Sequence, residues 1–336
     1  MQRRGSINRA VARATQWLLA HQAEDGSVSP REAGVDAYYK LPYTLGLMGE
    51  LGAANLLLDW IRDYQMTSTG DFRGTRQRSR LSFHSNWSTY ANCWIVLGAH
   101  RLGRFDVSLR GIDYILRYQR PCGGFSSMAL TGEGEVIEPV CTAWGGLAAL
   151  SVGRIESACK AGDCLVEMVR RQPDPRRFYF RMTVEGRLIT EYPEPERLFY
   201  FVAADQEKEI YYNLGIAMIL LGRLYQATSE SKYLSSCEDL LAFSQRCAAD
   251  VYASPPSGKL GLGCAILFSI SRNPAAKEAA SAVADYLVAT QGQEGYWRLP
   301  DDPLYAQIPG RHELDLLLDV TAEFTSFLAE IAALCR

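Results

Sequence analysis

The chain is poor in histidine, with 4 among 336 residues, and its 9 cysteines contain no Cys-x-x-Cys pair. An odd count without that spacing argues against both a zinc knuckle and a disulfide framework. Cys93, Cys141, Cys159, Cys164 and Cys264 sit among apolar or small neighbours and are expected to be buried thiols. No apolar run reaches 18 residues, so no membrane-spanning helix is expected. The opening Met-Gln-Arg-Arg-Gly-Ser leads into an amphipathic helix instead of an apolar signal core, and a cytosolic location is expected. A net charge of -3 gives no reason to expect a nucleic-acid partner. The four arginines between Arg73 and Arg80 read as a solvated loop. A P-loop, a nucleotide-binding glycine fingerprint and a Gly-x-Ser-x-Gly elbow are all missing. Nothing calls for a cofactor or a metal.

What the chain does contain is a repeat. Trp17-Leu18 precedes Gln22 and then Gly26; Trp60-Ile61 precedes Gln65, Gly70 and Phe72. Tyr114-Ile115 precedes Gln119, Gly123, Gly124 and Phe125, and Tyr286-Leu287 precedes Gln291, Gly295, Tyr296 and Trp297. Two degraded copies are Met168 before Gln172 and Leu240-Leu241 before Gln245. A ring beside an aliphatic residue buries the last turns of a helix. The glutamine offers donors and acceptors, and the glycine takes the left-handed conformation that stops the helix. Successive glutamines lie 43 to 73 residues apart, room for two helices and their loops. Six helical hairpins follow, enough to close into a ring and dispense with the capping repeats of an open stack.

This motif resembles the glutamine–tryptophan repeats of the terpenoid cyclase and protein prenyltransferase superfamily, and the likeness covers nearly the whole chain. The resemblance implies an all-α (α/α)6 toroid, here one domain over residues 1–336. Related toroids occur in sugar epimerases and unsaturated glucuronyl hydrolases, and a fold does not fix a function. The catalytic signatures of the known branches are missing: neither Asp-x-Asp-Asp, nor Asp-Asp-x-x-Asp, nor the zinc-binding Asp-x-Cys occurs. The adjacent aspartates Asp301-Asp302 lie in a proline-containing loop.

On this frame outer helices are expected over 7–22, 53–65, 104–119, 156–172, 232–247 and 274–291. Inner helices are expected over 36–51, 86–102, 138–152, 207–227, 260–271 and 311–334. One insertion stands out: Phe178 to Val184 and Arg187 to Thr190 alternate around Glu185-Gly186, a β-hairpin signal. A lone hairpin is marginal in water, so it is expected to pack on the mouth of the ring.

All six inner helices would point the same way, bringing six helix N-termini to one rim, each with about half a positive charge. Such a rim favours a small-molecule substrate with an anionic or polar group. The residues expected there are Asp36, His84, Glu138, Glu209 and His312 as acids and bases. Tyr39, Lys40, Tyr43, Trp87, Tyr90, Trp144, Tyr212 and Glu313 are expected as binding residues. A carboxylic acid in an apolar cavity has its pKa raised and can donate a proton, while ring faces stabilise a developing cation. Asp36, Glu138 and Glu209 serve equally well as helix caps, and His84 and His312 as structural hydrogen-bonders. Tyr38-Tyr39 and Tyr211-Tyr212 cannot both point inward on a helix, so one of each pair must pack.

Three functions fit these residues. The first is a cofactor-independent cyclase or isomerase acting on a terpenoid or similar apolar metabolite, as part of a biosynthetic pathway. The second is a carbohydrate epimerase, lyase or uronate hydrolase; Leu224 to Leu234 looks like the helix junction of sugar-acting toroids. The third is a non-catalytic carrier of hydrophobic ligands.

Overall fold

The computed structural model describes residues 2–28, 35–72, 87, 89–128, 134–299 and 313–336, without the side chains of Gln2 and Met128. The basic run 73–80, His84, Asp301, Asp302 and His312 lie outside the described residues.

Among the described residues twelve α-helices carry the fold: α1 (Gln2–Ala20), α2 (Leu41–Met48), α3 (Leu51–Trp60), α4 (Tyr90–Arg101), α5 (Phe105–Ile115) and α6 (Pro139–Ser151). They continue as α7 (Ile155–Arg170), α8 (Tyr212–Thr228), α9 (Ser231–Ser244), α10 (Gly258–Ser271), α11 (Pro274–Thr290) and α12 (Glu313–Leu334). The even-numbered helices form the inner ring. α2 packs on α4, α4 on α6, α6 on α8, α8 on α10, α10 on α12, and α12 back on α2. Each inner helix also packs on an odd-numbered outer one, and α1 closes the chain against α12 and α11. This is the expected (α/α)6 toroid. Inner helices are buried almost all round: α6 and α8 each bury 11 residues, as a helix between two layers must.

The repeat glutamines lock the outer helices together. Gln22 Nε2 donates to the carbonyls of Gly26 (3.1 Å) and of Ala53 in α3 (2.9 Å). Gln119 does the same to Gly123 and to Ser157 in α7, both at 2.9 Å, and Gln291 to Gly295 and Ala10 in α1, both at 2.8 Å. Each amide thus ties a carbonyl of its own turn to a helical carbonyl of the neighbouring hairpin. Gly123 shows why glycine follows: its φ is +91°, and a Cβ there would sit 2.2 Å from the Lys160 carbonyl oxygen. In the degraded fourth copy Gln172 instead clasps Tyr179, accepting from its N–H (2.7 Å) and donating to its carbonyl (2.8 Å).

Three expectations need correction. The first inner helix begins at Leu41 instead of Asp36, because Pro42 belongs in a first turn; Asp36 lies in a separate turn, Val35–Ala37. The fourth begins at Tyr212 instead of Glu207, since Lys208 has φ 61° and its N–H donates to Asp250 (2.7 Å). The insertion does turn at Glu185-Gly186, with Met182 bridged to Leu188. Its regular pairing, however, is with a later segment: β3 (Arg177–Tyr179) runs antiparallel to β4 (Phe201–Ala203). A second ribbon, β1 (Ser126–Met128) with β2 (Glu135–Ile137), was not expected, its strands being three residues each. Met182 and Ile137 exchange backbone hydrogen bonds of 2.9 Å, so the insertion lies against the residues that lead into α6.

Candidate functional site

Inside the ring, at the end where the inner helices start, two lysines meet two acids. Lys40 immediately precedes α2, Lys259 is the second residue of α10, and Asp319 and Glu323 are one turn apart on α12. Lys40 Nζ lies 2.7 Å from Asp319 Oδ1 and also contacts Glu323 Oε2. Lys259 Nζ contacts the other oxygen of Glu323, and the Tyr90 hydroxyl donates to Glu323 at 3.2 Å. All four charged side chains are about nine-tenths buried or more.

Burial and pairing decide the charge states. Burial lowers the Lys40 ammonium, yet Asp319 and Glu323 outweigh it and the net shift is upward. Burial lowers Lys259 more than Glu323 raises it, with the charge of Lys40 adding to the lowering. Burial would raise Glu323, but Lys259 and Lys40 hold it below its ordinary range. Glu323 is therefore an ionised carboxylate, and Lys259 is the more acidic of the two ammonium groups. The Tyr39 phenol is pushed well up by burial and by the charge of Asp319.

Aromatic faces surround this charge. Lys40 Nζ lies 5.1 Å over Tyr39 and 5.7 Å over Trp94; Lys259 Nζ lies 5.7 Å over Tyr212 and 5.6 Å over Phe327. Trp94 and Trp144 have ring centroids 4.2 Å apart, and Tyr90 meets Trp144 edge-on at 5.9 Å. Trp87 bridges Tyr90 (5.7 Å) and Tyr212 (6.3 Å). Neither indole N–H of Trp94 and Trp144 has a hydrogen-bond partner among the described residues. Further along α12, Tyr43 donates to Glu330 (2.9 Å), which Arg223 pairs at 3.0 Å.

Of the residues singled out in the sequence, Tyr39, Lys40, Tyr43, Trp87, Tyr90, Trp144 and Tyr212 are brought together here. Tyr38 and Tyr211 are the packing members of their pairs. Tyr38 donates to the Phe72 carbonyl (2.7 Å) and Tyr211 to Asp250 (2.7 Å). Glu138 stands at the N-cap position of α6 without a side-chain capping bond, accepts from Ser127 Oγ (2.8 Å) and lies 3.6 Å from Arg181. Asp36 is buried near Tyr39. Glu209 does not face the centre: Arg197 (2.7 Å) and the Ala203 N–H (3.0 Å) occupy its two oxygens, tying β4 to the approach of α8. Glu313 is exposed and paired with Arg298. The two described histidines stand at helix ends, His21 stacked 4.1 Å from Trp17 and His100 3.2 Å from Ser108 Oγ. Sequence reasoning missed Lys259, Asp319, Glu323 and Arg181. The available signal for the acids was Asp315, Asp319 and Glu323 at four-residue spacing, hence on one face of a largely apolar helix. Among the described residues no group of three or more His, Cys, Asp or Glu could hold a metal, and no helix is long and apolar enough to cross a membrane.

No family profile matches the chain, and no curated protein matches it in sequence. Solved structures match over nearly its full length. The type II terpene cyclase MstE from Scytonema is 17% identical with a TM-score of 0.60, covering 98% of this chain and 99% of that one. A D-mannose isomerase is 9% identical with a TM-score of 0.68, covering 97% and 96%. A GH76 α-mannanase from Bacteroides thetaiotaomicron is 14% identical with a TM-score of 0.63, covering 96% and 95%. At such identities the likeness is one of fold, and the chain is an (α/α)6 toroid.

Proposed function

We propose that the protein is an enzyme of the cyclase or isomerase type that acts on an apolar, terpenoid-like metabolite by acid–base catalysis inside the ring. The observation that carries this reading is the buried contact between Lys259 and Glu323 within a wall of aromatic faces. Lys259, with its ammonium held down, is poised to give a proton, and ionised Glu323 to take one. Lys40 stays charged and fixes both acids in place. An ammonium is too weak an acid for an unactivated alkene. The pair therefore suits isomerisation or ring closure that starts at a polarised carbon, such as one beside a carbonyl. Rings from Tyr39, Tyr90, Trp94, Trp144 and Tyr212 give an apolar skeleton its shape and face any developing positive charge. The MstE structures with bound geranylgeranyl dihydroxybenzoate show a toroid of this architecture holding an isoprenoid compound; that supports the choice of substrate class.

The test is a thermal-shift panel of isoprenoid acids and alcohols, isoprenoid diphosphates, neutral sugars and uronates. A ligand at a hundred times its Kd stabilises the native state by about 2.7 kcal/mol. Stabilisation by the isoprenoids alone is the expected result. Stabilisation by sugars alone would transfer the site to the carbohydrate reading. Binding of isoprenoids with no turnover of any would leave a carrier.

A further inference from the structure

At the mouth of the ring lies a second buried charge that the proton-transfer pair does not use. Arg181 is only 2% exposed, yet its buried Nε has no hydrogen-bond partner among the described residues. Its one carboxylate neighbour among the described residues, Glu138, is 3.6 Å away, beyond hydrogen-bond distance, and is itself held by Ser127. A buried N–H without an acceptor is costly, and buried arginine is normally satisfied.

The chain has built this position with some care. Backbone pairing of Met182 with Ile137 sets Arg181 beside the start of α6. The Phe180 N–H donates to the Tyr200 carbonyl (3.0 Å), which brings Tyr200 under the guanidinium at 4.7 Å, with Phe199 at 6.0 Å. A guanidinium backed by a ring keeps its rigid fork of donors for a planar, doubly accepting partner. The pair Arg181–Glu138 is neutral, and the first turn of α6 adds partial positive charge. An anionic group on the guanidinium leaves the site one negative charge in excess, which the start of α6 offsets in part. Trp144, six residues into the same helix and so about 9 Å further along, belongs to the aromatic wall.

We propose that Arg181 is the anchor for an oxyanion, carboxylate or phosphate, at one end of the substrate. The apolar remainder would then extend past Trp144 toward the Lys259–Glu323 pair; this second half rests on the functional reading above.

Arg181→Gln and Arg181→Lys should be compared with the wild type by tryptophan-fluorescence titration with farnesoic acid, farnesol, farnesyl diphosphate and glucuronate. In the wild type an acid should bind at least tenfold tighter than farnesol. The gap should close in Arg181→Gln and reopen in part in Arg181→Lys, which keeps the charge but loses the fork, while farnesol affinity is unchanged. Preference for farnesoate over the diphosphate assigns the carboxylate, and the reverse assigns the phosphate. Equal affinity for farnesoate and farnesol in the wild type overturns the anchor and leaves the apolar reading standing, whatever the variants do. Binding of glucuronate alone, lost in Arg181→Gln, keeps the anchor and overturns the apolar skeleton. Binding of none of the four overturns both.

Discussion

Replacing Lys40 by methionine should be among the most damaging single changes in the ring, and more damaging than the same change at Lys259. Lys40 holds two carboxylates, Asp319 at 2.7 Å and Glu323, whereas Lys259 holds Glu323 alone. In Lys40→Met, Asp319 keeps its 2% exposure and loses its lysine. Breaking a buried pair this way costs about 3–5 kcal/mol. In Lys259→Met, Glu323 still has Lys40 and the Tyr90 hydroxyl, and the loss should be about 1–3 kcal/mol. Unfolding entropy for 336 residues is about 0.7 kcal/mol per degree, so about 4 kcal/mol lowers the melting temperature by roughly 6 °C. The pH dependence has a definite sign. In the wild type the depressed Glu323 contributes stability that is present above its ordinary value of 4.5 and is lost as pH falls through the lower folded value. In Lys40→Met the buried carboxylate that has lost its lysine can regain neutrality by taking up a proton. The gap between the two proteins should thus be widest near pH 7 and shrink below about pH 4.5. Urea unfolding at pH 7 and pH 4 measures it. Equal costs for the two lysines, or a gap that ignores pH, would refute the network as drawn.

Other predictions concern the frame and the thiols. Gly123→Ala should cost at least about 2 kcal/mol, since left-handed strain of about 1–2 kcal/mol joins a Cβ 2.2 Å from the Lys160 oxygen. Gly103→Ala, with φ +71° and nothing within 4 Å of its Cβ, should show the strain alone; urea midpoints compare the two. Gln119→Ala removes the side-chain donor that links two carbonyls of adjacent hairpins and should cost about 1–3 kcal/mol, read by calorimetry. Among the nine cysteines, Cys122 should be alkylated first at pH 7, as peptide mapping after brief iodoacetamide treatment would detect. A hydrogen bond from Cys164 lowers its thiol to about 6, whereas burial raises Cys141 and Cys264 to about 12. Cys164→Ala should slow that reaction.

The fold was legible because its signal is local and recurrent. Each glutamine, its preceding ring and its following glycine solve one problem, the end of an outer helix against its neighbour, as Gln22, Gln119 and Gln291 show with the same pair of hydrogen bonds. The aromatic wall was legible from the helix starts, where Tyr39, Lys40, Tyr90, Trp144 and Tyr212 stand. The chemistry was less so. Attention to helix starts put weight on Glu209, whose oxygens Arg197 and Ala203 occupy, and passed over Glu323, three turns into α12. Lys259 fell just outside the helix expected from Leu260, and α10 in fact starts at Gly258. Arg181 belonged to a segment read for its strand alternation, and its approach to Glu138 depends on pairing between residues 45 positions apart, Met182 and Ile137. No spacing along the chain encodes a contact of that kind.

The central claim is that Lys259 and Glu323 move a proton on an apolar substrate inside the ring. Incubating the wild type with the isoprenoid and sugar panel in D2O, followed by mass spectrometry of recovered and converted compounds, tests it most directly. The account predicts deuterium carried into an isoprenoid compound by the wild type and none by a folded Glu323→Gln. Conversion of sugars alone, or undiminished deuterium transfer by Glu323→Gln, would contradict it.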